Sequence, residues 1–399
     1  MATHTCFDND PRVNGVWLAG KGGNGKCWIL KIDNHYRVLK SLFNRDGTKL
    51  SIMFENVLRF QIPLSPLFFD NSQNHPTESS NWILMDYIPG ITLTKLIQGG
   101  YCGYRVRRLY LLELFAAIVY QLTLMREMNI KHRDLKPDNI IIDGDMIPHI
   151  VDWDDATDRF SLSQSERHGT IPFTAPEIFN SERKCESDIF SFGAIMFNVI
   201  TESYPFESAY KTKAGLKNIV DQFPELKLPD IDDVYEQLEE FENMDYESQS
   251  VHWNTIVNSV EPILIELVKA GARDTLINEE RFQSDTFNSK ISQLIDLCCK
   301  YRAEDRIKPD NLQEMIDDIA HDILTDPVDL EHYNQYCENI FSLQQREYGT
   351  QEMIDKARNC GFYEEDQTLL RIIRAADSLF EEPSESRFNA YIQSLAPNN

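Results

Sequence analysis

Apolar and polar residues alternate over residues 36–42, and short apolar runs at 16–19 and 27–32 flank a glycine cluster. Period-two patterning of this length, bounded by glycines, predicts three strands. Over residues 50–60 the period changes: Ile52, Met53, Leu58 and Phe60 fall at helical spacing after Asp46-Gly47. Apolar runs at 66–70 and 82–87 predict two further strands. Beyond Pro89-Gly90 the pattern is mostly helical, with a long apolar helix across 109–128. After Asp326 it predicts a few short helices, around 331–345, 351–359 and 367–380. Strands first and helices afterwards point to an α+β protein with a cleft between two lobes.

Composition and charge narrow the class. The 399 residues suffice for two or three lobes, each with its own core. With 39 basic against 64 acidic residues the net charge is −25, which repels phosphate backbones and anionic lipid. A broad basic face for nucleic acid or membrane is therefore not expected; the charge either merely keeps the protein soluble or suits basic partners or substrate peptides. No apolar run approaches the roughly 18–20 residues of a membrane-spanning helix, residues 192–200 being among the longest. No basic start followed by an apolar stretch marks a secretory leader. Eight irregularly spaced cysteines without a C-x-x-C pair read as reduced thiols in a cytoplasmic protein. Between 221 and 250, eleven carboxylates accompany one lysine, Lys227, in either a solvated segment or an acidic docking surface.

Residues 132–139 carry the strongest chemical signal: His132-Arg133-Asp134-Leu135-Lys136-Pro137-Asp138-Asn139. The segment matches the H-R-D-L-x-x-x-N catalytic loop at every specified position. Such a loop holds a carboxylate beside an acceptor hydroxyl and, five residues on, an amide oxygen able to bind Mg²⁺. From about Val16 to Ile319 the sequence thus resembles a eukaryotic-type protein kinase domain, of the Ser/Thr kind. The resemblance implies a bilobal protein-kinase fold, with a small β-rich N-lobe over 16–88 and a larger helical C-lobe over 89–325. A segment of 15 residues precedes the first lobe, an acidic insertion lies at about 207–290, and a helical C-terminal extension covers 326–399.

Other matches follow in family order. Gly20, Gly22 and Gly25 form G-x-G-x-x-G. Alone this pattern also fits a dinucleotide-binding turn, but a strand follows it here rather than a helix. Between two strands, backbone N–H groups can approach ATP phosphates closely. Lys40 takes the place of the strand lysine on the α- and β-phosphates, with Lys31 a competitor too near the glycine loop. Glu55 is its candidate helix partner, or else a solvated glutamate. Met85, Asp86 and Ile88 resemble the hinge that meets adenine, with Cys27, Val38 and Ile141 around the ring. Asp152, at the end of an apolar strand, stands where the family places its main Mg²⁺ ligand, beside Asn139. Trp153 and Asp154 replace the usual Phe and Gly, and Asp154 and Asp155 add negative charge near the metal. Ala175-Pro176-Glu177, Asp188 and Arg306 resemble structural elements of the C-lobe.

The resemblance implies ATP and Mg as cofactors, a protein substrate, and Asp134 as catalytic base. Lys136 and Thr170 point to Ser/Thr as acceptor. Arg133 before the catalytic Asp belongs to kinases whose activation segment is ordered by phosphate, with Ser161, Ser163, Ser165 and Thr170 as candidate acceptors. Two alternatives stay open: a pseudokinase scaffold that binds partners, and transfer to a lipid or small metabolite. The run Glu381-Glu382-Pro383-Ser384-Glu385-Ser386 resembles acidic export signals of bacterial effectors, which gives a host-cytoplasm alternative to an ordinary cytoplasmic location.

Overall fold

The computed structural model describes residues 13–21, 25–32, 35–42, 82–88, 90–99, 108–127, 129–143, 147–157, 169–180, 186–228, 230–272 and 285–343. Strands β1 (Val13–Lys21), β2 (Gly25–Ile32), β3 (His35–Leu42) and β4 (Trp82–Asp86) pair in that order, all antiparallel. The first three predicted strands are present and longer than their apolar runs. The predicted helix at 50–60 and strand at 66–70 lie outside the described residues. Cys27 stands opposite Lys40, Ile29 opposite Val38, and Val38 opposite Met85. Cross-strand partners share a face of an antiparallel pair. Cys27, Ile29, Val38 and Lys40 therefore line one side of the sheet. Between Leu18 and Gly20 the register shifts, a bulge of the kind that bends and twists a hairpin.

The chain then forms β5 (Gly90–Thr92), helix α1 (Leu93–Gln98), helix α2 (Arg108–Glu127), β6 (Ile140–Asp143) and β7 (Pro148–Ile150). The three strands make a second antiparallel sheet in the order β5-β6-β7. Gly90 is there for space: a Cβ would lie 2.2 Å from the carbonyl oxygen of Ile142. Thr92 caps α1 by accepting from the Lys95 N–H at 3.3 Å. By length and composition alone α2 could cross a membrane, which corrects the expectation that no segment approaches that threshold. Its residues are instead mostly buried within the protein, from Leu109 through Met125. A helix packed on nearly every side has no polar face to show in its sequence. Helix α3 (Ser187–Thr201) lies in the same core, where Phe115 of α2 meets Phe192 edge-on at 6.1 Å.

Helices α4 (Glu207–Lys211), α5 (Lys213–Val220), α6 (Ile231–Glu242) and α7 (Tyr246–Lys269) enclose a second apolar cluster. Within the acidic stretch, Val234, Leu238 and Phe241 face that cluster, while Asp232, Asp233, Glu239, Glu240 and Glu242 are exposed. The carboxylates thus form the solvated face of an amphipathic helix. Ile171 and Phe179 also join the cluster, tying it to the segment around Glu177. Helices α8 (Thr286–Cys298), α9 (Pro309–Ile323) and α10 (Pro327–Leu343) return to the first core. The first predicted tail helix is α10; its Tyr333 is buried there and its hydroxyl donates to Asp317 at 2.6 Å. Segments 351–359 and 367–380 lie outside the described residues. A small sheet-built lobe and a larger helical one reproduce the bilobal α+β arrangement.

Candidate active site

The loop at 130–139 is set by what lies beneath it. Asp188, in the first turn of α3, is buried, and its carboxylate accepts the backbone N–H of His132 at 2.7 Å and of Arg133 at 2.9 Å. Burial holds its carboxyl above the usual carboxylate range, even though these donors and the nearby His132 and Arg133 oppose the shift. Arg133 has a left-handed backbone, φ 72°, which costs a side-chain-bearing residue of order 1–3 kcal/mol. The bonds to Asp188 offset that cost and turn the next residue, Asp134, outward.

Asp134 is held from three sides. Lys136 Nζ donates to its Oδ2 at 2.8 Å and to Thr170 Oγ1 at the same distance. The Thr170 hydroxyl donates to Asp134 Oδ1 at 3.2 Å. Asn139, in a short turn opened by Pro137, donates through Nδ2 to the Asp134 carbonyl at 2.8 Å and to its Oδ2 at 3.2 Å. With its amide nitrogen so engaged, Asn139 Oδ1 is presented as an acceptor. Gly169 closes over this group with φ +64°; a Cβ there would sit 2.9 Å from Thr174 Oγ1 and 3.1 Å from the Arg133 carbonyl oxygen.

The second half of the site follows β7. Val151 donates its N–H to the Asn139 carbonyl at 2.9 Å and accepts from His132 Nε2 at 3.0 Å, joining the two segments. Asp152 is left-handed, φ 67° and ψ 61°. This turn sends Trp153 into the core, where its ring meets His132 edge-on at 4.8 Å and its Nε1–H donates to the Ile150 carbonyl at 3.2 Å. It turns Asp152 and Asp154 the other way. Lys40, from β3, forms an ion pair with Asp152 and a second with Asp154, at 2.6 Å.

Burial is unequal across this trio. The Asp154 side chain is 2% exposed, that of Lys40 10% and that of Asp152 37%. Burial opposes the charge of Lys40, but the two carboxylates outweigh it and raise its pKa. Burial also works against Asp152, and Lys40 again prevails, lowering it. For Asp154 burial wins with the help of the neighbouring Asp152, against Lys40, and its carboxyl is pushed up to about 7. Lys40 and Asp152 are thus the firm ion pair, and Asp154 is the strained third member. Cys27, opposite Lys40, has its thiol pushed up to about 11, chiefly by burial.

Further out, Arg306 grips Glu177 with two parallel bonds, Nη1 to Oε1 at 2.6 Å and Nη2 to Oε2 at 2.7 Å. Ser187 donates to Glu177 Oε1 at 2.6 Å. Burial resists the charge on Glu177, but Arg306 and Ser187 outweigh it and lower its pKa.

The sequence profile of the protein kinase domain matches residues 62–316. This chain belongs to the eukaryotic-type protein kinase family. It is 35% identical over 144 residues to the eukaryotic translation initiation factor 2-alpha kinase 1 of Plasmodium falciparum, covering 35% of this chain and 9% of that protein. It is 26% identical over 218 residues to the serine/threonine-protein kinase nekl-2 of Caenorhabditis elegans, covering 50% and 60%. It is 24% identical over 194 residues to the probable serine/threonine-protein kinase PknB of Lactococcus lactis, covering 48% and 30%. The chain thus spans less than two thirds of each of these relatives.

The fold brings several residues singled out from the sequence into one connected group: Lys40, Asp134, Lys136, Asn139, Asp152 and Thr170. Cys27 and Val38 are half-buried on the sheet face that carries Lys40. Ile141 is half-buried on β6, between fully buried Ile140 and Ile142. Ile88 is buried just after β4, and Met85 and Asp86 end that strand. Gly20 lies in β1 opposite Cys27, and Gly25 opens β2. Gly22, Glu55, Ser161, Ser163 and Ser165 lie outside the described residues. Two features were missed: Asp154 as a partner of Lys40, and Trp153 as a hydrogen-bond donor. The signal for both was Asp-Trp-Asp itself.

Proposed function

We propose that the chain is a Ser/Thr protein kinase that transfers the γ-phosphoryl group of ATP to a protein hydroxyl. The observation that carries the reading is the convergence of Lys136, Thr170 and Asn139 on Asp134, linked through Val151 to the Asp152–Lys40 pair. Asp134 would orient the acceptor hydroxyl and take its proton late in transfer. Lys136, within reach of both Asp134 and Thr170, would steady the transferring group and keep a substrate hydroxyl in line. Lys40 would hold the α- and β-phosphates once they displace its carboxylate partners.

The donor set fits Mg²⁺. Asp152 is partly exposed, Asn139 offers an amide oxygen with its nitrogen anchored elsewhere, and both are the hard oxygen ligands this ion prefers. Bound there, Mg²⁺ would supply charge stabilisation to the phosphates, most of what such catalysis requires. The net charge of −25 and the exposed carboxylates of α6 favour basic protein substrates or partners. Because Val234, Leu238 and Phe241 belong to the second core, this face is tested by exchanging Glu236, Glu239 and Glu240 for Gln rather than by deletion. Reduced phosphorylation of basic substrates, with autophosphorylation unchanged, is expected.

One observation favours a second reading, a pseudokinase scaffold that binds protein partners with little or no transfer. Lys40 is occupied by two carboxylates, so phosphate must compete for it. Labelled ATP offered with generic basic proteins separates the two. The kinase reading requires label in Ser or Thr that Asp134→Asn abolishes; nucleotide binding without label supports the scaffold.

A further inference from the structure

Two buried carboxylates of the C-lobe are well supplied with donors. Glu177 accepts from Arg306 and Ser187, and Asp188 accepts two backbone N–H groups. Asp154 is less well supplied. It is as deeply buried as either, yet among the described residues its Oδ1 receives no hydrogen bond and its Oδ2 meets the ammonium of Lys40 alone. Among the described residues its one ion pair is with Lys40, at 2.6 Å, and Lys40 is shared with Asp152. Two carboxylates therefore divide one ammonium, leaving a local excess of one negative charge. A charge removed from water needs close pairing and filled hydrogen-bond sites to persist.

The backbone has been shaped to produce this arrangement. The left-handed turn at Asp152 puts Asp152 and Asp154 on one side and Trp153 on the other, and the tryptophan is fixed by its bond to the Ile150 carbonyl. Asp154 is thus held in place beside Lys40. A single carboxylate would suffice to steady Lys40, and Asp152 already does so.

We infer that Asp154 is an additional metal-binding side chain, which with Asp152 lets the cleft take a divalent cation before nucleotide arrives. Resting on the proposed reading of this cleft as a kinase site, the inference adds to Asp152 and Asn139 a carboxylate at a position where the family's motif carries glycine. The chemistry is that of a hard-oxygen site, suited to Mg²⁺ or Mn²⁺. A cation at Asp152 and Asp154 would release Lys40 from both carboxylates and free it for phosphate. Charge-for-charge exchange of this kind also removes the competition described above.

The test is a titration of nucleotide-free protein with MnCl₂, following free Mn²⁺ by electron paramagnetic resonance. The wild-type protein should bind Mn²⁺ without nucleotide. Asp154→Asn, which keeps the shape and removes the charge, should bind it roughly tenfold or more weakly, and Asp154→Glu should regain part of the loss. Thermal unfolding of each metal-free variant establishes that it is folded. Equal Mn²⁺ affinity in wild type and Asp154→Asn overturns the inference, as does absence of Mn²⁺ binding to wild type. If Asp154→Asn alters only metal-free nucleotide affinity, Asp154 merely positions Lys40 and the inference is again wrong. The kinase reading fails separately: a wild type that binds Mn²⁺ through Asp154 but transfers no phosphate leaves this metal site standing.

Discussion

Replacing Arg306 by Met should be among the most damaging single changes in the C-lobe. Its guanidinium side chain is fully buried, and Glu177 beneath it is 8% exposed. The change removes both bonds to Glu177, and also those from Nε to the Lys300 carbonyl at 2.8 Å, Nη1 to Glu186 at 3.1 Å and Nη2 to Tyr301 at 3.1 Å. Breaking a buried ion pair on one side costs about 3–5 kcal/mol, because the other charge is left without a partner. The three orphaned carbonyls move the expectation to the upper end of that range. Such a loss is a large part of the roughly 5–15 kcal/mol that holds a typical domain together. The sign with pH can be worked out. In wild type Glu177 is lowered from 4.5, so its contribution is complete above 4.5 and is lost as pH falls through the lower folded value. In Arg306→Met burial remains, opposed only by Ser187 and a backbone hydrogen bond; burial raises the carboxyl, and protonation relieves the penalty. Urea unfolding followed by tryptophan fluorescence should therefore show a gap of about 4–5 kcal/mol near pH 7 that narrows as pH falls towards 5. Adding Glu177→Gln should restore part of the loss. A gap below about 1 kcal/mol, or one that does not change with pH, would refute the reasoning.

Other consequences can be measured directly. Trp153→Phe keeps a ring against His132 but removes the donor to Ile150, and should cost about 1 kcal/mol of stability in the same unfolding assay. Thr170→Val deletes a hydroxyl bonded to both Asp134 and Lys136; with bonds to charged groups worth about 1.5–3 kcal/mol, kcat for peptide phosphorylation should fall by roughly one to two orders of magnitude while ATP affinity changes little. Gly169→Ala places a methyl against the Arg133 carbonyl at a left-handed position, so it should lose both stability and transfer, and Gly169→Asn should be milder because Asn tolerates that backbone better. Because burial pushes the Cys27 thiol to about 11, iodoacetamide at pH 8 should label it slowly in the native state and readily in urea, as read by peptide mass.

The catalytic loop was legible because its chemistry is written locally, from His132 to Asn139. Lys40 was legible because a strand after a glycine cluster fixes where a lysine on the next strand falls. Asp154 was not, although the sequence displayed it, because its meaning depends on a left-handed residue before it and on a lysine far away in the chain. From sequence it looked like added repulsion near a metal; in the structure it is a buried contact of Lys40. The acidic stretch was also half legible. Its carboxylates hid Val234, Leu238 and Phe241, whose helical spacing carried the signal of a second core. The long helix at 108–127 offered the converse problem: surrounded by other elements, it has no polar stripe, and its pattern by itself cannot tell a buried helix from one that spans a bilayer.

Asp134 and Asp152 behave as two ends of one braced path. Asp188 fixes the backbone of His132 and Arg133; His132 and Asn139 then take the carbonyl and N–H of Val151, the residue before Asp152. Among the described residues, that path draws its hydrogen bonds from outside the sheet lobe. Lys40 reaches across from the sheet and attaches to the path at its far end, through Asp152 and Asp154. The C-lobe residues can thus hold their geometry while Lys40 exchanges partners. On the proposed reading the side chain that changes partners is the one on the smaller lobe, and what it exchanges for would decide whether the site is closed on itself or ready for a nucleotide. On the same reading Asp154 would set that balance: as a neutral amide it would leave Lys40 to Asp152 alone and make the exchange for phosphate easier without metal, and as a carboxylate it would make the exchange depend on a cation.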